Sequence, residues 1–195
     1  MRERGITVNR HIFVAIELPL LIKEKISLQL EKAKRELPFK QWVHSSDLHI
    51  TLSFLGKTEP DRIHSLCQNL RRAVIDQEPF SLQLSGIGTF GRERAPRIFW
   101  GSVEHEPYLY SLQERVRQAC KQSGFVLEER AYRPHITFAK RWNSEKATFD
   151  VKWIENQLLP LKGLSFEVRH IVLYETHLNR TPKYEILEKI CFKGN

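Results

Sequence analysis

Short apolar runs alternate with amphipathic stretches along this chain. Residues 11–18 (HIFVAIEL) are almost continuously apolar, which predicts a strand buried on both faces and ended by Pro19. From Leu20 to Leu37 the positions Ile22, Ile26, Leu30, Ala33 and Leu37 recur at helical spacing, and Pro38 stops that helix. Residues 48–55 (LHITLSFL) predict a second strand, followed by Gly56. Pro60 opens a second helix with Ile63, Leu66, Cys67, Leu70 and Val74 on one face. Alternation at Phe80, Leu82 and Leu84 predicts a strand over 80–85, and a glycine-rich turn leads from it to another over 97–103. Pro107 opens a third helix with Leu109, Leu112, Val116 and Ala119 or Cys120 inward, and Gly124 stands where a helix-ending glycine belongs. A short strand over 135–139, a weakly patterned helix over 151–158 and two long strands, about 165–175 and 184–192, complete the chain. Strands outnumber helices and do not alternate strictly with them, so the expected class is α+β with mainly antiparallel sheet.

At 195 residues, with no Ser- or Gly-rich linker, the chain reads as one domain, 1–195. The apolar share of 41% and charged share of 28% exclude disordered, collagenous and low-complexity classes. No apolar run approaches the roughly 18 residues of a membrane helix. The basic start MRERGITVNR is followed by no secretory apolar segment. The expectation is a soluble cytoplasmic protein with no membrane partner. Cys67, Cys120 and Cys191 are scattered, with no C-x-x-C pair, which fits a reducing compartment and a packing role. Thirty-one Lys and Arg against 23 Asp and Glu leave a net charge of +8, which favours an anionic partner, nucleic acid first.

One repeat changes the picture. Residues 49–52 are His-Ile-Thr-Leu and residues 135–138 are His-Ile-Thr-Phe. Each tetrad falls in an expected strand, which suggests a duplicated unit with two facing halves. On a strand, residues i and i+2 share a face. His49 and Thr51 therefore point one way, and Ile50 and Leu52 the other; His135 and Thr137 repeat this against Ile136 and Phe138. A phosphate gives each polar pair a reason to sit opposite an apolar face. Imidazole donates or accepts a proton near neutral pH, and a threonine hydroxyl donates to a phosphate oxygen. Two such pairs face to face would clamp one phosphoryl group, one histidine as general base and the other as general acid, with no metal and no cofactor.

With those motifs in place, LHITLSFLG and RPHITFAKR resemble the paired H-x-[ST]-x signatures of the 2H phosphoesterase superfamily, most closely the RNA 2′,3′-cyclic phosphodiesterase branch, also known as 2′-5′ RNA ligase. The resemblance extends over RHIFVAIELP, Trp42 and the segment FGRERAPRIFWGSV. It implies a bilobal α+β fold, two pseudo-twofold-related lobes of mainly antiparallel sheet flanked by helices around a central cleft. It also implies hydrolysis of RNA 2′,3′-cyclic phosphodiester ends to 2′-phosphomonoesters without a cofactor. His49 would protonate the leaving 3′-oxygen, His135 would take the proton from water, and Thr51 and Thr137 would hold the non-bridging oxygens. The family also joins RNA ends through a 2′-5′ linkage without ATP. Where better-known members carry an arginine after the second motif, this chain has Lys140, which keeps the charge and loses bidentate geometry. Lys140 is placed with the substrate phosphate, and Arg141 is expected to point to the opposite side if the strand continues. No protein partner is implied, and the expected state is a monomer.

Other signals point elsewhere. Gly86-Ile-Gly-Thr-Phe-Gly91 matches a dinucleotide fingerprint, but RERAPRIFW follows it and offers no helix N-terminus, so these glycines read as a turn. Arg92, Arg94 and Arg97, near Phe90 and Trp100, are candidate RNA contacts, as are Trp42 and Tyr132 by stacking, whereas alternation puts Phe54 in the core. The other six histidines form no helical metal pair. The rival readings are a non-catalytic RNA- or nucleotide-binding module, and a phosphodiesterase for small cyclic nucleotides or ADP-ribose cyclic phosphate.

Overall fold

The continuous apolar run near the N-terminus becomes β1 (Arg10–Glu17) in the computed structural model, which describes residues 10–92, 95–143 and 151–194. Ile12, Val14 and Ile16 face the main core, while Phe13 and Ala15 pack with Val172 and Tyr174 in a second apolar cluster. The expectation of a strand buried on both faces therefore holds.

The elements that follow are α1 (Leu20–Glu36), β2 (Phe39–Trp42), β3 (His49–Thr58), α2 (Pro60–Val74), β4 (Phe80–Arg92), β5 (Ala95–Val103), α3 (Pro107–Gln122), β6 (His135–Trp142), α4 (Val151–Gln157), β7 (Ser165–Val168), β8 (His170–Thr176) and β9 (Tyr184–Cys191). The strands form one antiparallel sheet in the order β7-β4-β5-β6-β3-β1-β8-β9, with β2 also paired to β6. Only Arg169 separates β7 from β8, yet these strands lie near opposite ends of that order, so the sheet curls back on itself. The helices bury their apolar stripes: Leu66, Leu70 and Val74 of α2, and Leu109, Leu112 and Val116 of α3. Gly124 adopts φ +78° and ends α3 in a Schellman turn, its N–H donating to Lys121 O and that of Phe125 to Cys120 O. Cys67 and Cys120 are buried and free, and burial pushes the Cys120 thiol up to about 12, as packing cysteines require.

At the centre of the sheet, β3 and β6 meet through one antiparallel pair, Ile50 with Ile136, both fully buried. The neighbours repeat around this pair. Ala15 and Glu17 of β1 face Thr51 and His49, and Trp100 and Ser102 of β5 face Thr137 and His135.

Three expectations need correction, and β2 is a strand that the periodicity does not predict. The four-residue strand β2, too short for its own periodicity to register, pairs β6 through Phe39 with Trp142 and Trp42 with Ala139. The glycine-rich segment 86–91 is strand rather than turn, because β4 needs thin positions there: a Cβ on Gly88 would lie 2.3 Å from the Trp100 ring. The single strand expected over 165–175 is two strands, because the alternation of Phe166 and Val168 passes unbroken into β8 and hides the break at Arg169. Phe54 is 65% exposed rather than buried, because a bulge leaves both Leu52 and Ser53 inward and turns the next residue over.

Candidate active site

The four residues of the repeated motif come together as expected. Antiparallel pairing at Ile50 and Ile136 sets His49 opposite Thr137 and Thr51 opposite His135, all on the face away from the main core. The two histidines thus lie diagonally across one small patch, and the two threonines complete it.

Each imidazole is anchored in the same way. His49 Nδ1 lies 2.6 Å from Asp47 O and His135 Nδ1 lies 2.7 Å from Arg133 O. A carbonyl oxygen only accepts, so Nδ1 carries the proton in both rings and Nε2 is left for the cleft. Thr51 Oγ1 lies 3.1 Å from His49 Nε2, close enough to donate to it. Burial pushes His49 down to about 4, with the charges of Lys140 and His135 adding to it, against the opposing pull of the Asp47 backbone carbonyl and carboxylate. Burial also lowers His135, opposed by the Arg133 carbonyl and assisted by the charges of Arg130 and Lys140. Both rings are therefore neutral in the free protein at pH 7, and an anion between them would favour protonation.

Aromatic rings wall both sides. Around His49 stand Phe13 at 4.9 Å, Tyr184 at 5.1 Å and Tyr174 at 5.9 Å between centroids, and Phe54 stacks on Phe13 at 5.4 Å. Around His135 stand Phe90 at 5.1 Å and Trp100 at 5.9 Å. Below His49, the buried Asp47 carboxylate accepts from the backbone N–H groups of Lys183 at 2.9 Å and Tyr184 at 3.1 Å, which ties the start of β9 to the histidine's own turn. Lys23, also buried, donates to Ser46 O at 3.1 Å and reaches Glu17, which holds His170 at 3.3 Å and Lys189 at 3.4 Å. The His170 hydrogen bond is the main reason the Glu17 carboxyl falls to about 2.

The remaining candidates separate. Lys140 falls on the histidine face of β6, because the register slip leaves both Phe138 and Ala139 inward, and burial followed by the charge of Lys183 lowers its own pKa. Arg141 is exposed and takes φ +62° within β6, which continues to Trp142. Trp42 packs on Phe39 and Phe99 within the core, on the same side as its buried cross-strand partner Ala139, and not with the histidines. Tyr132 is a support rather than an open stacking face: its hydroxyl donates to Thr51 O at 3.1 Å, its ring packs edge-on against Tyr110, and burial raises its pKa. Arg92 is exposed at the end of β4, two residues beyond Phe90, and Arg94 lies outside the described residues. The sequence reading missed Asp47, Phe13, Tyr174, Tyr184 and Lys183, and it named Phe90 and Trp100 only as aromatics beside candidate RNA contacts. Only Phe13 carried a signal, being the apolar residue on the second face of a strand apolar on both. Glu175, His177 and Glu185 lie close enough to share a cation, but Arg10 already pairs Glu175 and Arg180 pairs Glu185.

Comparison with known proteins agrees with this geometry. The model of the 2′-5′ RNA ligase superfamily matches residues 22–180. A Geobacillus stearothermophilus protein named RNA 2′,3′-cyclic phosphodiesterase is 42% identical over 184 residues, covering 94% of this chain; the chain spans 58% of that relative's length. A Bacillus subtilis protein of the same name is 33% identical, covering 93% of this chain and 96% of its own. Among solved structures, Escherichia coli LigT complexed with 3′-AMP superposes with a TM-score of 0.77 at 26% identity, covering 95% of this chain and 99% of that one. Family model, relatives, curled antiparallel sheet and the two facing His-x-Thr strands agree: the chain belongs to the 2′-5′ RNA ligase superfamily of 2H phosphoesterases.

Proposed function

We propose that this chain hydrolyses RNA 2′,3′-cyclic phosphodiester ends to 2′-phosphomonoesters, in one domain built of two similar halves. The observation that carries the reading is the Ile50–Ile136 pair, which makes the two His-x-Thr segments antiparallel neighbours on one face. An in-line displacement at phosphorus needs a base beside the entering oxygen and an acid beside the leaving one. Two histidines related by a local twofold supply both. The names of the relatives, and the net charge of +8, support RNA as the substrate.

In the reaction, His135 Nε2 takes a proton from water as the water oxygen bonds to phosphorus. The bond from phosphorus to the 3′-oxygen breaks, and His49 Nε2 delivers a proton to that oxygen. The assignment of His49 as acid and His135 as base follows the family resemblance, since burial lowers both rings and a backbone carbonyl anchors each through Nδ1. Thr51, Thr137 and Lys140 hold the non-bridging oxygens as charge builds on them. With an RNA 5′-hydroxyl in place of water and a 2′,3′-cyclic end as donor, the same groups join two ends through a 2′-5′ linkage.

The test is incubation in excess EDTA with an RNA oligonucleotide ending in 2′,3′-cyclic phosphate, with mapping of the product ends. A 2′-phosphate is expected from the wild type, with a roughly 10²- to 10⁴-fold lower rate for His49→Ala and His135→Ala. A folded wild type that leaves the cyclic end intact overturns the reading. Products ending in 3′-phosphate would contradict the assigned leaving oxygen.

A further inference from the structure

Lys183 has no role in the chemistry above, yet the protein goes to some length to place it. It is the residue before β9, and its backbone N–H is gripped by both carboxylate oxygens of Asp47, at 3.0 and 2.9 Å. The carbonyl of that same Asp47 fixes His49. The next residue, Tyr184, lays its ring edge-on against the His49 imidazole. Lys183 is therefore fixed to the His49 wall of the cleft by its own main chain, whatever its side chain does.

That side chain is half-buried, and among the described residues no carboxylate pairs with it. Lys140, also half-buried, likewise has no carboxylate partner among the described residues, and it senses the Lys183 charge. Two lysine side chains that sense one another, neither paired with a carboxylate among the described residues, can share an anion. Lys140 lies on β6, five residues after His135, whereas Lys183 is held by its main chain to Asp47 on the His49 side.

The substrate has the same layout. The 3′-oxygen that leaves belongs to the terminal ribose, and the rest of the strand continues from that ribose through its 5′-phosphate. If His49 serves the leaving oxygen, the strand runs over the wall formed by Phe13, Tyr174 and Tyr184, where Lys183 is anchored. We propose that Lys183 binds the phosphodiester immediately 5′ of the reacting nucleotide, so that Lys140 holds the cyclic phosphate and Lys183 the next phosphate of the strand. The inference rests on the phosphodiesterase reading and adds a determinant for an RNA end over a free cyclic nucleotide.

The experiment compares wild type, Lys183→Gln and Lys183→Arg on three substrates: a mononucleoside 2′,3′-cyclic phosphate, an oligonucleotide with the same cyclic end, and that oligonucleotide with a neutral methylphosphonate at the one linkage 5′ of the terminal nucleotide. Lys183→Gln should raise KM for the oligonucleotide about tenfold, the scale of one lost charge-assisted contact, with kcat largely kept. Lys183→Arg should restore most of it. The methylphosphonate should cost the wild type a similar factor and cost Lys183→Gln almost nothing more. The salt slope of oligonucleotide binding should fall by about 0.7 in Lys183→Gln. Additive losses, or the same loss on the mononucleotide, overturn the inference and leave the phosphodiesterase reading standing. No turnover of any substrate by wild type overturns both.

Discussion

Phe54 and Lys140 occupy equivalent positions in the two central strands, each five residues after its histidine. Both reach the cleft for the same reason. The register slips opposite Leu52 and Ser53 in β3 and opposite Phe138 and Ala139 in β6, and all four of these residues are buried. Each slip turns the following residue to the face of the histidines. The two halves thus present an aromatic ring at one position and a cation at the other. Phe54→Ala should leave the melting temperature nearly unchanged, since the ring is 65% exposed, and should raise KM for an RNA substrate about tenfold, the scale of one lost stacking contact. Leu52→Ala, two residues away and 3% exposed, should instead cost about 2–5 kcal/mol of stability, read by denaturant unfolding.

The pH dependence of kcat/KM reports the histidines of the free protein. Burial lowers both below 6.5, and one must hold a proton while the other does not. The bell should therefore peak on the acid side of pH 6.5. Lys140 lowers both rings through its charge, so Lys140→Gln should move both limbs to higher pH while lowering the maximum. A profile that Lys140→Gln leaves in place would contradict the placement of this side chain on the face of the histidines.

The same burial makes His49 a liability in acid. Its folded value of about 4 lies below the ordinary 6.5, so the unfolded chain takes up a proton first. Its contribution to stability is complete above pH 6.5 and is lost as pH falls from there towards 4. Denaturant unfolding at pH 7 and pH 4.5 should show a smaller loss for His49→Gln than for wild type.

Asp47 joins the histidine turn to the start of β9. Asp47→Ala removes the acceptor for two part-buried N–H groups, so stability should fall by about 1–3 kcal/mol. Activity should fall further than Asp47→Asn makes it fall, because the amide oxygen still accepts. Equal activity in both variants would show that the tether does not position His49.

Gly88 and Gly101 separate the two faces of the sheet. A Cβ at Gly101 would lie 2.4 Å from the Phe138 ring in the core, so Gly101→Ala should destabilise the protein by roughly 1–3 kcal/mol. A Cβ at Gly88 would meet Trp100, which walls His135, so Gly88→Ala should lower activity more than it lowers the melting temperature.

Much of this was legible from residues alone. The buried β1, the three long helices and the four motif residues follow from periodicity and from one repeated tetrad. Phe54 was not, because a bulge reverses alternation without changing composition. Nor was the break at Arg169, where apolar residues on both sides keep one period although the two strands join different neighbours. Asp47 and Lys183 lie 136 positions apart, and a main-chain contact of that kind leaves no trace in side-chain pattern.

The central claim is that the two histidines divide the proton transfers, with His49 serving the leaving oxygen. A cyclic-phosphate RNA in which sulfur replaces the 3′-oxygen tests it, since a thiolate leaves without needing a proton. The rate of His49→Ala should recover towards wild type on the sulfur substrate, while His135→Ala should stay impaired on both. Recovery of His135→Ala instead, or of neither variant, would contradict the account.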